Sequence, residues 1–262
     1  MRFRSSLTLL AAVLAAGPAA AADLPQVAQR GTLRVLAVLS DEEKFFVSDA
    51  PRGGFDWEML EGFARLHKVE LELVRSGGWD ELIPALLANR GDVIAGGFTA
   101  TETRRRQIAF TAETFPTRSV VVTRGRPQPP RTVADLKTEK LGTIKGSFML
   151  DDLRAAGLGA SVDDRIETGQ LVAALKSGRI TAGVDGIEAV LVAKAKDPEL
   201  QIGPFLGRPA SLAYGVRKAD TQLLAALDEY IANARRTPTW SRLAVKYFGP
   251  SAPDILKQAR GE

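Results

Sequence analysis

The chain contains no cysteine. That absence removes disulfide frameworks, thiolate zinc sites, iron–sulfur clusters, cysteine nucleophiles and a lipid-modified N-terminal cysteine. With His67 as its single histidine, it also lacks the material for a multi-histidine metal site. Beyond the N-terminal segment no apolar run approaches the ~20 residues that span a bilayer. No low-complexity tract or short-period repeat occurs. What is present is a chain of 262 residues, 45% hydrophobic and 25% charged, with mean hydropathy near zero. That suffices for full cores in one or two domains. The formal charge of +4 falls to +2 without Arg2 and Arg4 of the N-terminal segment, too small and too dispersed to argue for nucleic acid or an anionic membrane as partner.

The first residues read as an export signal. Met1-Arg2-Phe3-Arg4 is a short positive region, Leu7 to Ala16 an apolar stretch broken by Gly17-Pro18, and Ala19 to Ala22 a small-residue cleavage site. Cleavage after Ala22 would begin the mature chain at Asp23. It would also remove Arg2 and Arg4, so part of the basic excess belongs to the signal.

The body alternates strands and helices. Leu33–Val38 reads as a buried strand. Phe55, Met59, Phe63 and Leu66 recur at helical spacing, and Val69–Val74 alternates with period two. A helix carrying Leu82, Ile83, Leu86 and Leu87 tolerates Pro84 because it falls in the first turn. Val93-Ile94-Ala95 closes a βαβαβ run, the pattern of a largely parallel sheet covered by helices. After the turn-rich Arg126-Pro127-Gln128-Pro129-Pro130 the grammar restarts. Strands are expected at Leu141–Ile144, Ser161–Ile166, Ile180–Val184 and Ser211–Val216. Helices are expected at about Phe148–Ala156, Gln170–Ser177, Gly186–Lys196, Thr221–Arg236 and Thr239–Tyr247. Two such units read as two α/β domains.

Seven segments stand in order. They are Gly54-Phe55-Asp56, Trp79-Asp80-Glu81-Leu82, Asp92-Val93-Ile94-Ala95-Gly96-Gly97-Phe98-Thr99, Glu102-Thr103-Arg104, Lys145-Gly146-Ser147, Lys176-Ser177-Gly178-Arg179 and Ala213-Tyr214-Gly215-Val216. Together they resemble the family 3 extracellular solute-binding proteins, the polar-amino-acid type of ABC-transporter receptor, over about residues 31–249. The resemblance implies the type II periplasmic binding protein fold: two Rossmann-like α/β lobes joined by two crossover strands. After the 1–22 signal peptide, lobe 1 would be residues 23–121 plus 217–262 and lobe 2 residues 122–216. The crossovers would lie near Val120–Thr123 and Ala213–Arg217. The implied function is binding an amino acid or related small carboxylate in the inter-lobe cleft for an ABC permease. The protein would be a periplasmic monomer with no metal, no cofactor and no catalysis.

The resemblance also implies site residues. Arg104 matches the arginine that pairs with a ligand carboxylate, for which its planar fork is suited. Gly97 and Thr99 match the loop that meets the same group, while Thr101 fits a helix cap. Ser147 either caps its helix or touches ligand. Asp185 matches the carboxylate that takes the ligand ammonium, although Asp185-Gly186-Ile187-Glu188 also has capping-box spacing. Phe45 or Phe46, Phe98, Phe148 and Trp79 would supply the apolar wall. His67 is expected at the surface.

Three departures stand out: Val38-Leu39-Ser40 where a carboxylate is frequent, Phe148 in place of a second hydroxyl, and Glu113-Thr114-Phe115. They tilt the ligand away from basic amino acids, toward an apolar, aromatic or simple carboxylate one. The enzymatic alternative is an exported cyclohexadienyl dehydratase, in which Glu188 would be the general acid acting on prephenate or arogenate. Phe148 stands where those enzymes carry a polar residue supporting that acid. A second alternative is a stand-alone sensory binding protein.

Overall fold

The computed structural model describes residues 23–39, 45–49 and 52–261. The expected signal segment and the acidic run Asp41-Glu42-Glu43 lie outside the described residues. Helix α1 (Leu24–Arg30) ends on left-handed Gly31 and leads into β1 (Thr32–Val38). The short pair β2 (Ser48–Asp49) and β3 (Arg52–Gly53) precedes α2 (Phe55–His67) and β4 (Glu70–Ser76). Then come α3 (Leu82–Leu87), β5 (Val93–Ile94), α4 (Glu102–Arg105) and β6 (Ala109–Phe110). The chain continues through β7 (Phe115–Thr117), β8 (Ser119–Arg124), β9 (Leu141–Ile144), α5 (Met149–Ala155) and β10 (Asp163–Ile166). Next are α6 (Leu171–Lys176), β11 (Ala182–Gly186), α7 (Ile187–Lys196) and β12 (Leu200–Phe205). The last are β13 (Ala210–Leu212), β14 (Gly215–Val216), α8 (Thr221–Arg236), α9 (Pro238–Phe248) and α10 (Ala252–Arg260).

Two five-stranded sheets result. The first has the order β4-β1-β5-β14-β6, with β1 parallel to β4 and β5, and β14 antiparallel to its neighbours. The second has the order β10-β9-β11-β8-β12, parallel through β10, β9 and β11, with β8 antiparallel to both β11 and β12. This is the α/β architecture expected, with one change. The single strand expected over Ser211–Val216 is two strands: β13 pairs with β7 in a separate antiparallel ribbon, and β14 returns to the first sheet.

That ribbon relocates the expected crossovers. Val120–Thr123 is not a linker but the fully buried middle of β8, paired on both sides within the second sheet. Gly215–Val216 likewise belongs to the first sheet. The passages between the sheets are therefore β7 and β13, each a few residues earlier. Pro116 is tolerated there because a two-stranded ribbon leaves one edge without a ladder to satisfy.

Packing follows the pattern of the apolar positions. Phe55, Met59, Leu60 and Phe63 of α2 are fully buried against the first sheet. Phe46, Phe55, Phe115 and Phe248 form an aromatic cluster beneath the ribbon, with Phe115 and Phe248 centroids 4.5 Å apart. Helix α10, which periodicity did not reveal, buries Ile255 in the core of the first sheet and Ala259 in that of the second, and packs on both β7 and α7.

A buried charge network ties the start of the chain to its return strand. Asp92, with no exposed side-chain surface, is ion-paired with Arg30, with Arg34 at 2.8 Å and more loosely with Arg217 at 3.7 Å. The Arg34 pKa is raised, chiefly by its hydrogen bonds to Asp92. Removing one member of a buried ionic group strands the others. Asp92→Ala should therefore lower unfolding stability by about 3–5 kcal/mol in urea titrations, and Asp92→Asn by less.

Candidate functional site

The ends of several elements converge on one cleft between the sheets. Its lining includes Phe45, Phe46, Trp79, Gly97, Thr99, Arg104, Ser147, Phe148, Asp185, Glu188 and Ala189, and it encloses about 510 Å³ of empty space, solvent at its mouth included. Phe98 alone of the residues expected at the site lies behind the wall. It is 1% exposed and packed with Leu82 and Ile94.

Phe98 nevertheless acts on the cleft through Arg104. The guanidinium carbon stands 4.0 Å from the Phe98 ring centroid, a cation–π contact that holds the plane of the fork. Arg104 Nη1 donates to the carbonyl of Thr99 at 3.0 Å, and Nη2 reaches the carbonyl of Gly146 on the opposite wall at 3.4 Å. Burial pushes its pKa down to about 10, which leaves it charged at neutral pH. Helix α4 presents it because Thr101 caps that helix, its hydroxyl accepting from the Arg104 N–H at 3.2 Å. The structural role of Thr101 is thus the observed one.

The two walls touch over the cleft. Trp79 Nε1 donates to Thr168 Oγ1 at 3.0 Å, and its ring lies parallel to that of Phe98 at 6.4 Å. At Gly146, with φ 69°, an added Cβ would stand 2.9 Å from the backbone nitrogen of Asp80. Only glycine lets the walls approach this closely.

Ser147 does not cap a helix. Helix α5 starts at Met149 with Phe148 as its cap residue and no side-chain cap. The Ser147 N–H donates to Ile144, and its hydroxyl lies 3.3 Å from Thr143 Oγ1. That N–H is therefore occupied. The Gly97 N–H is likewise taken: it donates to Asp56 Oδ2 at 2.9 Å.

The capping box over Asp185–Glu188 is absent. Antiparallel pairing of Asp185 with Val120 and of Gly186 with Ser119 extends β11 two residues beyond the expected strand end. Helix α7 therefore begins at Ile187, with Gly186 as a cap residue that makes no side-chain bond. Asp185, 7% exposed, accepts only from the adjacent Gly186 N–H at 2.8 Å among the described hydrogen bonds. Burial raises its pKa to about 7. The Gly186 N–H opposes the rise and the charge of Glu188 adds to it. Glu188, 6% exposed, accepts from Thr117 Oγ1 at 2.6 Å, so a carboxylate of the cleft is bonded directly to the ribbon. Among the described residues no group of three or more His, Asp or Glu is arranged to hold a metal ion.

Sequence reasoning missed Ala189, Ile144 and Met149 as lining residues, since small and aliphatic side chains at element ends carry no separate pattern. It also missed Asp56 and Thr117, which act from behind the wall. An adjoining cavity of about 780 Å³, solvent included, shares Phe45, Asp185 and Ala189 with the cleft and continues between α6 and α7.

Comparison with known proteins bears on the family and the fold. The chain is 26% identical over 234 residues to the membrane-bound lytic murein transglycosylase F of Pseudomonas putida, covering 86% of this chain but 48% of that protein. The chain thus spans about half the length of that relative. The match to the histidine-binding periplasmic protein of Salmonella typhimurium is end to end: 28% identity over 254 residues, 93% of this chain and 95% of the relative. Among solved structures, a mutant of ArgBP from T. maritima superposes with TM-score 0.76 at 28% identity, covering 86% of this chain and 98% of that one. A family profile matches residues 38–250, and the chain belongs to the bacterial extracellular solute-binding proteins, family 3.

Proposed function

We propose that the chain is the periplasmic substrate-binding component of an ABC importer, holding an amino acid or related small carboxylate between two lobes that close on the β7/β13 ribbon. The lobes follow the two sheets, so their borders fall at the ribbon rather than at residues 121 and 217. One observation carries this reading. Arg104, stacked on Phe98 and bonded to neutral carbonyls, faces a cleft that also receives the buried carboxylates Asp185 and Glu188 from the other sheet. A zwitterion answers both sides, its carboxylate on the Arg104 fork and its ammonium beside Asp185. Full-length similarity to a histidine-binding periplasmic protein supports the same reading. No helix among the described residues is long and apolar enough to cross a membrane.

Thermal shift of residues 23–262 against L-histidine, L-arginine, L-glutamine, L-cysteine, aromatic and aliphatic amino acids and simple carboxylates tests it. A ligand at 100 times its dissociation constant adds about 2.7 kcal/mol of stability. Arg104→Ala should abolish that shift with the fold intact; an unchanged shift would remove the carboxylate anchor.

Asp185 generates a pH dependence. Its pKa of about 7 leaves it neutral at lower pH, whereas a ligand ammonium prefers the ion. Affinity for an amino acid should therefore fall by up to about tenfold for each pH unit below 7. The ligand-free protein behaves oppositely. A carboxyl raised by folding contributes its stability below the ordinary carboxyl range and loses it as pH rises through about 7. Asp185→Asn should bind poorly at every pH yet melt above the wild type at pH 8, with the gap closing toward pH 4.

The dehydratase is the second reading, favoured by Glu188 being a buried cleft residue rather than a cap. Phe148 still stands where a polar support would be needed. Prephenate incubated with the protein should remain unchanged. Appearance of an aromatic product, lost in Glu188→Gln, would replace the binding reading with the enzymatic one.

A further inference from the structure

The cleft loop is held by a residue that does not line the cleft. Asp56, in the first turn of α2, is 1% exposed. Its Oδ2 accepts from the N–H groups of both Gly96 and Gly97, each at 2.9 Å. Those glycines have φ 94° and 80°, so two successive amides turn toward one point and form a concave anion nest. Such conformations exclude other residues on backbone grounds. At Gly97 a Cβ would also stand 2.7 Å from the Phe46 ring. The nest is thus filled from inside the protein, by a carboxylate at the positive end of α2. Oδ1 is buried, and besides the two amides the Tyr214 hydroxyl bears on this carboxyl. The Tyr214 hydroxyl, buried beside it, lies 3.5 Å from the Asp56 carbonyl.

The nest leads directly into the binding wall. Phe98 carries the Arg104 guanidinium on its face, and the Thr99 carbonyl accepts from Arg104. The Phe98 carbonyl and the Ala100 N–H are bonded to Ala213 and Ser211, so this stretch is also stitched to β13 of the ribbon. A change of angle at Gly96-Gly97 would therefore be carried into both the carboxylate anchor and the hinge.

We propose that Asp56 is a positioning residue for ligand recognition: by filling the Gly96–Gly97 nest it sets the angle at which Phe98, Thr99 and Arg104 face the cleft. The proposal rests on the binding function above, and its test has one arm that needs no ligand. In Asp56→Ala both amides lose their acceptor, whereas Asp56→Asn keeps one oxygen able to receive them. Leu227→Ala, a cavity in the core of the first sheet away from the loop, serves as the control for stability alone.

In the ligand-free protein, hydrogen exchange at Gly96 and Gly97 should accelerate by about tenfold or more in Asp56→Ala, and less in Asp56→Asn. The Arg104 Nε–H resonance, displaced by the Phe98 ring in the wild type, should move toward its unstacked position. Unchanged exchange, or an unmoved Arg104 resonance, would overturn the proposal even if no amino acid binds the wild type. In the second arm, affinity for whichever of L-histidine, L-arginine, L-glutamine or L-cysteine binds the wild type is compared. It should fall by about tenfold or more in Asp56→Ala, be largely rescued in Asp56→Asn, and stay near the wild-type value in Leu227→Ala. A loss in Leu227→Ala equal to that in Asp56→Ala would overturn the proposal. Should Asp56→Ala not fold, Asp56→Asn decides. Its Gly96 and Gly97 exchange and its Arg104 shift must change more than in Leu227→Ala, and equal changes refute the positioning role.

Discussion

One guanidinium and two carboxylates face the same small cavity, and every other feature of the site serves to hold them in place around it. Arg104 is held back over Phe98 and bonded to carbonyls. Asp185 and Glu188 are anchored by the Gly186 amide and the Thr117 hydroxyl. Burial makes the arrangement costly. It lowers the pKa of Arg104 to about 10 and raises that of Asp185 to about 7. Each shift records a charge that burial disfavours and that a zwitterion of opposite polarity would steady.

The ribbon is what allows the groups to meet. Arg104 stands on α4, between strands β5 and β6 of the first sheet, and Asp185 lies in the second, and β7 and β13 are the passages between them. The ribbon is not passive. Thr117 of β7 donates to Glu188, and Ser211 and Ala213 of the β13 return bond the stretch that carries Phe98. Helix α10 adds a brace, with Ile255 in one core and Ala259 in the other. The cleft residues and the passages between the sheets are therefore joined by direct bonds.

Much of this was legible beforehand because local rules were obeyed. The helical spacing of Phe55, Met59 and Phe63, the alternation around Glu70–Val74, and the cap at Thr101 each appear as expected. The failures have a common cause. The capping box at Asp185 failed because the register with β8 continued the strand, and the expected crossover at Val120–Thr123 failed because those residues were needed in the middle of a sheet. In the first, a long-range ladder overrode a local preference; in the second, it overrode a boundary that the resemblance alone had implied. Phe98 was placed at the ligand because it adjoins Thr99 in sequence. In the fold its ring turns into the core, where it supports Arg104 from behind.

By itself, the sequence determined the α/β class, the existence of two units, the family, and the set of polar residues that meet in the cleft. The class and the two units come from periodicity and turn chemistry, whereas the family and the cleft residues come from the resemblance that short motifs in register carry. The tertiary structure alone decided where the chain crosses between the sheets, which amides remain open to the cleft, and that Asp56, forty residues away along the chain from Gly96, fixes the loop. Those outcomes depend on strand register and on the burial of charge, and neither exists until distant segments are packed together.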